Sequence, residues 1–330
     1  MQNNEFSSAF SEQQINESQI KFIRKESSVW GFTAVLANIA ITFVAVFIST
    51  IALTLGISLE GEIADLVMQA VLSVLMMTVP FILGATAKGV RIGSVISLKK
   101  VKLSLFLPLV MIGLGGGMLA NDMTNTFVSL LQRFGLYPET AEFAIPSDFG
   151  GLLLFFFTVS VLPAIFEEFA YRGIVLGALR KYGNGFAIIA SGLLFGLMHG
   201  NFVQIPVTIA LGCVLGYINV IADSIWPSVT VHFLNNFMSC LQQLAVERCN
   251  EDIASAAVVL SIVAAMVLGI IGLLIISRKY KHPFAPIHET VGIRLKNAVI
   301  GFLSSPGTIT AYFFFGGTAI VEMLLNRAGI

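Results

Sequence analysis

Ionisable residues interrupt a long apolar stretch at one place in the chain, the segment Glu167-Glu168-Phe-Ala-Tyr171-Arg172. Charged groups are costly inside a membrane span, and their presence there indicates function. Glu168 and Arg172 are four residues apart, about 40° around a helix, in the favourable order for an ion pair. Glu167 lies about 100° from Glu168 and lacks such a cation, so we predict a reactive carboxylate there. Tyr171 shares its face and is the expected hydrogen-bond donor to it.

Two histidines lie within apolar stretches farther along the chain. His199 ends the sequence FGLMH, and His232 begins HFLNN, in which Asn236 shares the face of His232. Counted from the predicted inner helix ends at ~1.5 Å per residue, Glu167 and the two histidines lie at similar depths of about 14–22 Å. These groups are therefore predicted to share one polar cavity. Asn235 is about 100° from Asn236 and is expected to face elsewhere.

This set of groups is suited to the hydrolysis of an amide bond. The reaction needs an activated water, a charge sink for the oxyanion and an acid for the leaving amine. Glu167 can act as the base, and the N–H groups of His232 and Asn236 can form an oxyanion hole. The sequence contains no GxSxG motif, and its Asp residues fall in predicted loops. Serine-based and aspartic-dyad mechanisms are therefore not supported.

A zinc site is the alternative arrangement, with Glu167, His199 and His232 as ligands and an open fourth position. No helix provides two ligands at HExxH spacing, and HETVG at His288 lacks the second histidine. The sequence neighbours of His199 and His232 offer no partner for a second ring nitrogen, and Asn236 suits an oxyanion better than zinc. We therefore expect no metal or other cofactor, with zinc kept as the alternative.

The elements that carry these residues are predicted to be transmembrane helices. Hydrophobic residues make up 56% of the 330 residues, charged residues 12%, and the mean hydropathy is +0.87. These values exclude a soluble enzyme and a disordered chain. The 19 basic and 19 acidic residues give a net charge of zero, which excludes a general nucleic-acid binder. Three cysteines without a CxxC motif indicate no disulfide framework.

Stretches without Asp, Glu, Lys or Arg mark the candidate spans. They cover residues 27–59, 66–87, 103–121, 149–166, 182–222, 224–246, 253–277 and 297–321. Because apolar sequence resumes after Arg172, residues 153–179 are predicted as one helix. The fold class is therefore all-α, a polytopic transmembrane helix bundle of about eight or nine spans. Pro306 and Gly307 interrupt the ninth, which is either a full span or re-entrant.

Glycine and proline residues predict a turn and a kink within the candidate spans. The longest apolar stretch is long enough for two spans, and Gly200, Asn201 and Pro206 predict a turn between them. Pro163 lies four residues before Glu167 and is predicted to kink that helix.

The distribution of basic residues predicts a cytoplasmic N-terminus. With that orientation, only Arg133, Arg248 and Arg327 fall outside, apart from Arg172 within its span. The chain then divides into four parts. Residues 1–28 form a polar N-terminal segment, and residues 29–152 contain the first three spans. Residues 153–246 contain the four spans with the polar motifs, and residues 247–330 contain the C-terminal spans and a Pro-containing inner linker. The linker holds the remaining two histidines, His282 and His288.

Three motifs occur in order on successive apolar stretches: EEFAYR fits EExxxR, FGLMH fits FxxxH, and HFLNN fits HxxxN. Together they resemble the CPBP family of intramembrane endopeptidases, which covers CAAX prenyl proteases and the bacteriocin-processing, ABI-type proteins. The resemblance implies a multi-helix bundle whose polar cavity cleaves a peptide bond at the membrane. It also implies that Glu168 and Arg172 are supporting residues, and it suggests a bacterial plasma membrane as the location.

The resemblance further implies the roles of the other polar residues. Glu167 and His199 would activate water, and His232 and Asn236 would bind the oxyanion. The implied partner is a membrane-embedded or lipidated peptide. Prenylated CAAX peptides, leader peptides and other membrane proteins are all compatible with these motifs.

Two other functions use the same residues. A carboxylate-based transporter would use Glu167 as a carrier and needs a polar path across the bilayer, for which the first three and last two spans offer few groups. A non-catalytic membrane protein, such as an immunity or scaffold protein, has no need for the complete set of four polar positions. An endopeptidase is therefore the preferred interpretation.

Overall fold

The computed structural model describes residues 2–134, 144–279 and 292–328, and all regular structure within these ranges is helical. The helices are α1 (Gln2–Thr54), α2 (Glu62–Ala87), α3 (Ile92–Val95), α4 (Leu103–Arg133), α5 (Phe149–Tyr182), α6 (Asn184–Leu197), α7 (Gln204–Ala222), α8 (Trp226–Arg248), α9 (Glu251–Lys279), α10 (Leu295–Leu303) and α11 (Pro306–Ala328). The predicted all-α class is confirmed.

Seven of the described helices are long and apolar enough to cross a membrane, namely α1, α2, α4, α5, α7, α9 and α11. Helix α6 is apolar but has only 14 residues. Helix α8 is long but carries His, Asn, Ser and Gln side chains along its length. Both occupy positions predicted for spans, so a helix lies at every predicted position. The polytopic transmembrane helix bundle is confirmed, and the protein is a multi-pass integral membrane protein.

The longest apolar stretch folds as the predicted pair of helices. Helix α6 ends at Leu197 and α7 begins at Gln204. Gly200 adopts a left-handed conformation in the turn between them, with φ of 62°, which glycine tolerates without a steric penalty. Pro206 lies in the first turn of α7, where its missing N–H leaves no hydrogen bond unmade.

The last predicted span has different bounds in the structure. The apolar stretch 297–321 breaks after Leu303, and the helix that is long enough to span runs over Pro306–Leu325. Proline is favourable at the first position of a helix because its missing N–H has no partner there. Helix α10 instead packs against α1, and a Cβ atom on Gly301 would lie 2.7 Å from the α1 backbone.

The polar N-terminal residues and the first span form one continuous helix, α1. Its N-terminal part contacts the start of α10, where Nη1 of Arg294 donates to Oε1 of Glu12 at 2.6 Å. Next to this ion pair, Nδ2 of Asn297 donates to Oδ1 of Asn16 at 2.7 Å. The histidines of the inner linker, His282 and His288, lie outside the described residues.

Contacts between loops show which helix ends share a side of the bundle. Described helix ends and loops that are predicted to be inside are linked by the pairs Glu26–Lys88, Arg180–Asp223, Lys99–Asp223 and Ser104–Lys279. On the opposite side, Nη2 of Arg248 donates to the Pro146 carbonyl oxygen at 3.0 Å. The two sides therefore alternate as the sequence predicts, and the cytoplasmic location of the N-terminal side stays a prediction.

Glycine allows the helices around the motifs to approach closely. A Cβ atom on Gly212 of α7 would lie 2.9 Å from the Cα atom of Gly192 on α6. Helices α4 and α9 meet in the same way at Gly115 and Gly269, where such an atom would lie 2.8 Å from a Cα atom. Small residues at these crossings provide the close backbone packing that stabilises helix pairs in lipid.

Candidate active site

Helix α5 changes its winding around the paired glutamates. It forms π-helical turns over Phe157–Val161 and Phe169–Leu176, on either side of Glu167 and Glu168. A π-helical turn holds one more residue than an α-helical turn and shifts the phase of the side chains that follow, a feature common at functional sites.

Pro163 lies between the first π-helical turn and the glutamates. It has no N–H to donate to the carbonyl oxygen of Val159, four residues earlier. That carbonyl accepts a hydrogen bond from Nδ2 of Asn236 on α8 at 3.3 Å. The proline therefore leaves on α5 an acceptor that orients the amide of Asn236.

The predicted ion pair between Glu168 and Arg172 is present and completely buried. Nη1 of Arg172 donates to Oε1 of Glu168 at 2.8 Å, and both side chains are 0% exposed. Nη2 donates to the carbonyl oxygen of Gly212 on α7 at 3.0 Å. The guanidinium carbon lies 4.2 Å from the centre of the Phe195 ring on α6. Arg172 thus joins three helices through a hydrogen bond, an ion pair and a cation–π contact.

Glu168 also holds His232, a contact that the sequence did not predict. Nδ1 of His232 lies 3.0 Å from the same Oε1 atom of Glu168. Since a carboxylate paired with arginine accepts hydrogen bonds, this geometry assigns a proton to Nδ1. The other ring nitrogen, Nε2, lies 3.8 Å from Oε2 of Glu167. His232 therefore bridges the structural carboxylate and the reactive one.

His199 lies just beyond the C-terminal end of α6. Its Nδ1 atom is 2.9 Å from the carbonyl oxygen of Phe195, which can only accept, so Nδ1 donates and Nε2 remains an acceptor. The sequence neighbours of His199 and His232 were expected to offer no partner for a second ring nitrogen, and each ring has a partner farther away. Both partners come from the fold, through a backbone carbonyl and through Glu168 on another helix.

An aromatic cluster separates the two histidines from the apolar core. The Phe195 ring makes edge contacts with His199, His232 and Tyr171, at centroid distances of 5.1, 5.8 and 5.4 Å. Tyr171 also packs on Phe81, and within the described residues its hydroxyl has no hydrogen-bond partner. The predicted hydrogen bond from Tyr171 to Glu167 is therefore not formed. The π-helical turn that begins at residue 169 alters the spacing on which that prediction depended.

The four predicted catalytic side chains line one cavity of about 550 Å³, namely Glu167, His199, His232 and Asn236. The structure therefore places side chains from three separate helical segments together, as the depth estimate predicts. Asn235 also reaches the cavity wall, although its Oδ1 atom is turned against Gly117 of α4. The two asparagines point to different helices, but the cavity is wide enough to touch both.

The charges of this cluster do not balance without a further proton. Glu167 and Glu168 carry two negative charges when ionised, and Arg172 supplies one permanent positive charge. One proton shared between Glu167 and His232 makes the buried group neutral, which avoids the large cost of an isolated buried charge. With that proton on Nε2 of His232, Glu167 is ionised and faces an N–H donor.

Glu322 on α11 is a polar residue that the sequence interpretation missed. The predicted span ended one residue earlier, and the structure continues the helix through Ala328. Nδ2 of Asn201 donates to Oε1 of Glu322 at 3.1 Å. Oδ1 of Asn201 accepts hydrogen bonds from the backbone N–H groups of Val203 and Gln204 at the start of α7. This contact ties the turn after His199 to a helix far along the chain.

In the alternative zinc site, the ligands would be Glu167, His199 and His232. Within the described parts of the chain, no three His, Cys, Asp or Glu side chains are arranged to hold a metal ion. As they stand, the described residues do not fit a three-ligand zinc site.

Comparison with known proteins supports the resemblance seen in the three motifs. Residues 149–238 match the family described as type II CAAX prenyl endopeptidase, Rce1-like. The matched segment contains the paired glutamates, both histidines and Asn236, and it ends before the last helices of the bundle.

Two curated bacterial proteins are similar to part of this chain. The membrane-embedded CAAX protease MroQ of Staphylococcus aureus (strain USA300) is 29% identical over 98 residues, which cover 28% of this chain and 40% of that protein. The putative membrane peptidase YdiL of Bacillus subtilis (strain 168) is 28% identical over 86 residues, covering 26% of this chain and 35% of that protein. The chain thus matches two fifths or less of the length of these relatives. No solved structure matches.

Proposed function

We propose that this protein is an intramembrane endopeptidase that hydrolyses a peptide bond of a membrane-associated protein, a leader peptide or a prenylated, CAAX-like protein. The observation that carries the proposal is the single cavity shared by Glu167, His199, His232 and Asn236. Glu168 and Arg172 lie behind it as a fully buried pair that fixes His232. The names of the two bacterial relatives, a CAAX protease and a putative membrane peptidase, support the same class.

Glu167 and His199 have complementary roles toward a water molecule. The Glu167 carboxylate accepts a proton from the water as its oxygen attacks the carbonyl carbon of the scissile bond. Nε2 of His199, which carries no proton when Nδ1 donates to Phe195, accepts a second hydrogen bond from the same water and directs its lone pair. The protonated Glu167 then transfers the proton to the leaving nitrogen as the C–N bond breaks. The immediate products are a carboxylic acid and an amine, and transfer of the acid proton to the amine gives a carboxylate terminus and an ammonium terminus.

His232 and Asn236 stabilise the negative charge that develops on the carbonyl oxygen. The Nε2–H group of protonated His232 and one N–H of the Asn236 amide are the two donors of this oxyanion hole. Asn236 uses its other N–H for the carbonyl of Val159, and His232 uses Nδ1 for Glu168. Both donors are therefore held by fixed neighbours before the substrate arrives.

The test is a cleavage assay with purified protein in liposomes and a labelled peptide library. We expect the wild-type protein to cleave and the Glu167→Gln variant, which keeps the shape of the side chain, to lose at least about 10³-fold in turnover. Glu62→Gln, an exposed glutamate at the start of α2, is the matched control and should keep full activity. A Glu167→Gln variant that is well folded and active contradicts the proposal. Ion or solute flux without cleavage would indicate the transporter instead.

The same assay tests the metal-free mechanism. Protein treated with a strong chelator and checked by elemental analysis should cleave at the rate of untreated protein. If activity disappears with the metal and returns on adding stoichiometric zinc, then Glu167, His199 and His232 act as zinc ligands.

A further inference from the structure

The cavity extends well beyond the four reacting side chains, and one of its walls is rich in uncharged polar groups. On α8, Asn235, Ser239, Gln242 and Gln243 follow His232 toward the helix end at Arg248. From His232 to Gln243 the helix rises ~16 Å, the length of about five residues of an extended peptide.

Other helices around the cavity contribute further amide groups, and the polar wall is taken to include them: Gln69 of α2, Asn121 of α4 and Gln204 of α7. Some amides of the wall are already fixed, since Nε2 of Gln242 donates to Ser261 at 2.6 Å. The side chains of Gln69 and Gln204 line the cavity and take no part in a hydrogen bond between described residues. The wall therefore offers both donors and acceptors to a bound molecule.

The charged residues that line the cavity restrict which molecules can bind there. Among the described residues, neither Lys nor Arg lines it, and Glu167 is its one carboxylate. In the proposed mechanism His199 binds the attacking water and His232 binds the oxyanion, so neither pairs with a charge elsewhere on the substrate. A carboxylate on a bound molecule, away from the scissile bond, would be removed from water without a cation to pair with.

We propose that this wall binds an extended, uncharged stretch of peptide main chain that continues from the scissile bond along the cavity. This inference rests on the proposed function and names the substrate class for it. Amide side chains match the alternating N–H and C=O groups of an extended backbone, which gives affinity with little dependence on side-chain sequence. A bond three residues from a free C-terminus would place the terminal carboxylate about 10 Å from the scissile bond, in a cavity that no described Lys or Arg lines. The protein therefore cleaves internal bonds, as in a leader peptide or a loop, and discriminates against a free terminal carboxylate.

Binding can be measured separately from catalysis with the Glu167→Gln variant in nanodiscs. The probes are two pools of fluorescent, uncharged peptides with a randomised centre, identical except that one ends in a carboxylate about three residues beyond the centre and the other ends in an amide. We expect the amide pool to bind at least about tenfold more tightly, a difference of about 1.4 kcal/mol. Equal binding, tighter binding of the carboxylate pool, or no binding of either pool overturns the proposal.

Variants of the wall locate the binding site. Gln69→Ala and Gln204→Ala, each in the Glu167→Gln background, should weaken binding of the amide pool by about three- to tenfold, the usual loss for one hydrogen bond. Gln132→Ala, an exposed glutamine of α4 outside the cavity, is the matched control and should leave binding unchanged. Equal binding by all three variants would show that the peptides bind elsewhere.

Catalysis by the wild-type protein separates this inference from the proposed function. Mass spectrometry of long randomised peptides after incubation should find cleavage sites away from the C-terminus. Cleavage confined to the last three residues overturns the inference while the endopeptidase survives. Selective binding of the amide pool without any cleavage supports the peptide site and contradicts the endopeptidase.

Discussion

Two groups of charged residues in this protein have the same chemistry and opposite surroundings. In the buried group, Glu168 pairs with Arg172 and His232, and both Glu168 and Arg172 are 0% exposed. In the surface group, Asp223 at the end of α7 pairs with Lys99 and Arg180, and the side chain of Asp223 is 44% exposed. In each group one carboxylate pairs with two basic side chains.

The difference between the groups lies in what replaces water around them. The surface group keeps much of its hydration, so each ion pair there contributes little and mainly fixes which loops meet. The buried group has lost its hydration, and well-packed apolar residues would stabilise the same helix contacts as well or better. A charge cluster kept in such a place indicates a need for its chemistry, which here is the orientation of His232.

The largest effect is expected from breaking the buried group. Glu168→Gln leaves the guanidinium of Arg172 buried without a counter-ion and His232 without its acceptor. We expect a loss of about 3–5 kcal/mol in the free energy of unfolding, together with reduced turnover in the fraction that folds. Thermal unfolding in detergent measures the first effect and peptide cleavage the second.

A double variant serves as the control for this interpretation. Glu168→Gln combined with Arg172→Met leaves no unpaired charge and should be more stable than Glu168→Gln alone. If Glu168→Gln is as stable as wild type, the buried ion pair does not contribute to the free energy of unfolding. The buried group and the surface group would then not differ in their effect on stability.

The next effect concerns a neutral donor beside the buried group. Asn236→Ala removes one donor of the oxyanion hole and should lower turnover by about 10²–10³-fold while the protein stays folded. Asn235→Ala is the matched comparison on the same helix. Because Asn235 turns its oxygen toward Gly117 of α4, a much smaller loss of turnover is expected. Equal losses at the two positions, measured as initial rates, would mean that the roles of the two amides have been misassigned.

A smaller effect is expected at Glu322, which is partly buried. Glu322→Ala removes the acceptor for Asn201 and loosens the turn that follows His199. Misplacement of a catalytic group by a fraction of an ångström lowers the catalytic rate, and we expect a loss of about tenfold in kcat with little change in KM. Glu322→Gln retains an acceptor oxygen and should restore the rate. A rise in KM at constant kcat would place Glu322 in substrate binding instead.

These contacts show which parts of the site were accessible from the sequence. The spacing of Glu168 and Arg172 was sufficient to predict their pairing, because two residues on one helix need no tertiary information. The shared depth of Glu167, His199 and His232 was sufficient to predict a common cavity, since transmembrane helices run nearly parallel between fixed boundaries.

Other contacts depend on how the helices are rotated about their axes, which apolar sequence does not specify. The bond between His232 and Glu168 joins residues 64 positions apart, and that between Asn201 and Glu322 joins residues 121 apart. Tyr171 was misplaced because the π-helical winding of α5 changes the angle between neighbouring positions. The fold class and the cavity were therefore predictable, and the hydrogen-bond partners within the cavity were not.

The smallest effect is expected from the surface group, where it also has a pH dependence. The hydrogen bond from Lys99 holds the pKa of the Asp223 carboxyl below its usual value, and partial burial opposes this before Arg180 lowers the pKa further. A carboxyl whose pKa is lower in the folded state stabilises the fold above its unfolded pKa, near about 3.9, and loses that contribution as the pH falls through the folded value. Asp223→Asn should therefore lower the melting temperature slightly at neutral pH, by the equivalent of about 0–1 kcal/mol, and the gap to wild type should close as the pH falls below about 4. Salt should shrink the neutral-pH gap, because the pair is exposed to screening ions. A gap as large as that of Glu168→Gln, or one that grows in acid, would show that Asp223 belongs with the buried group after all.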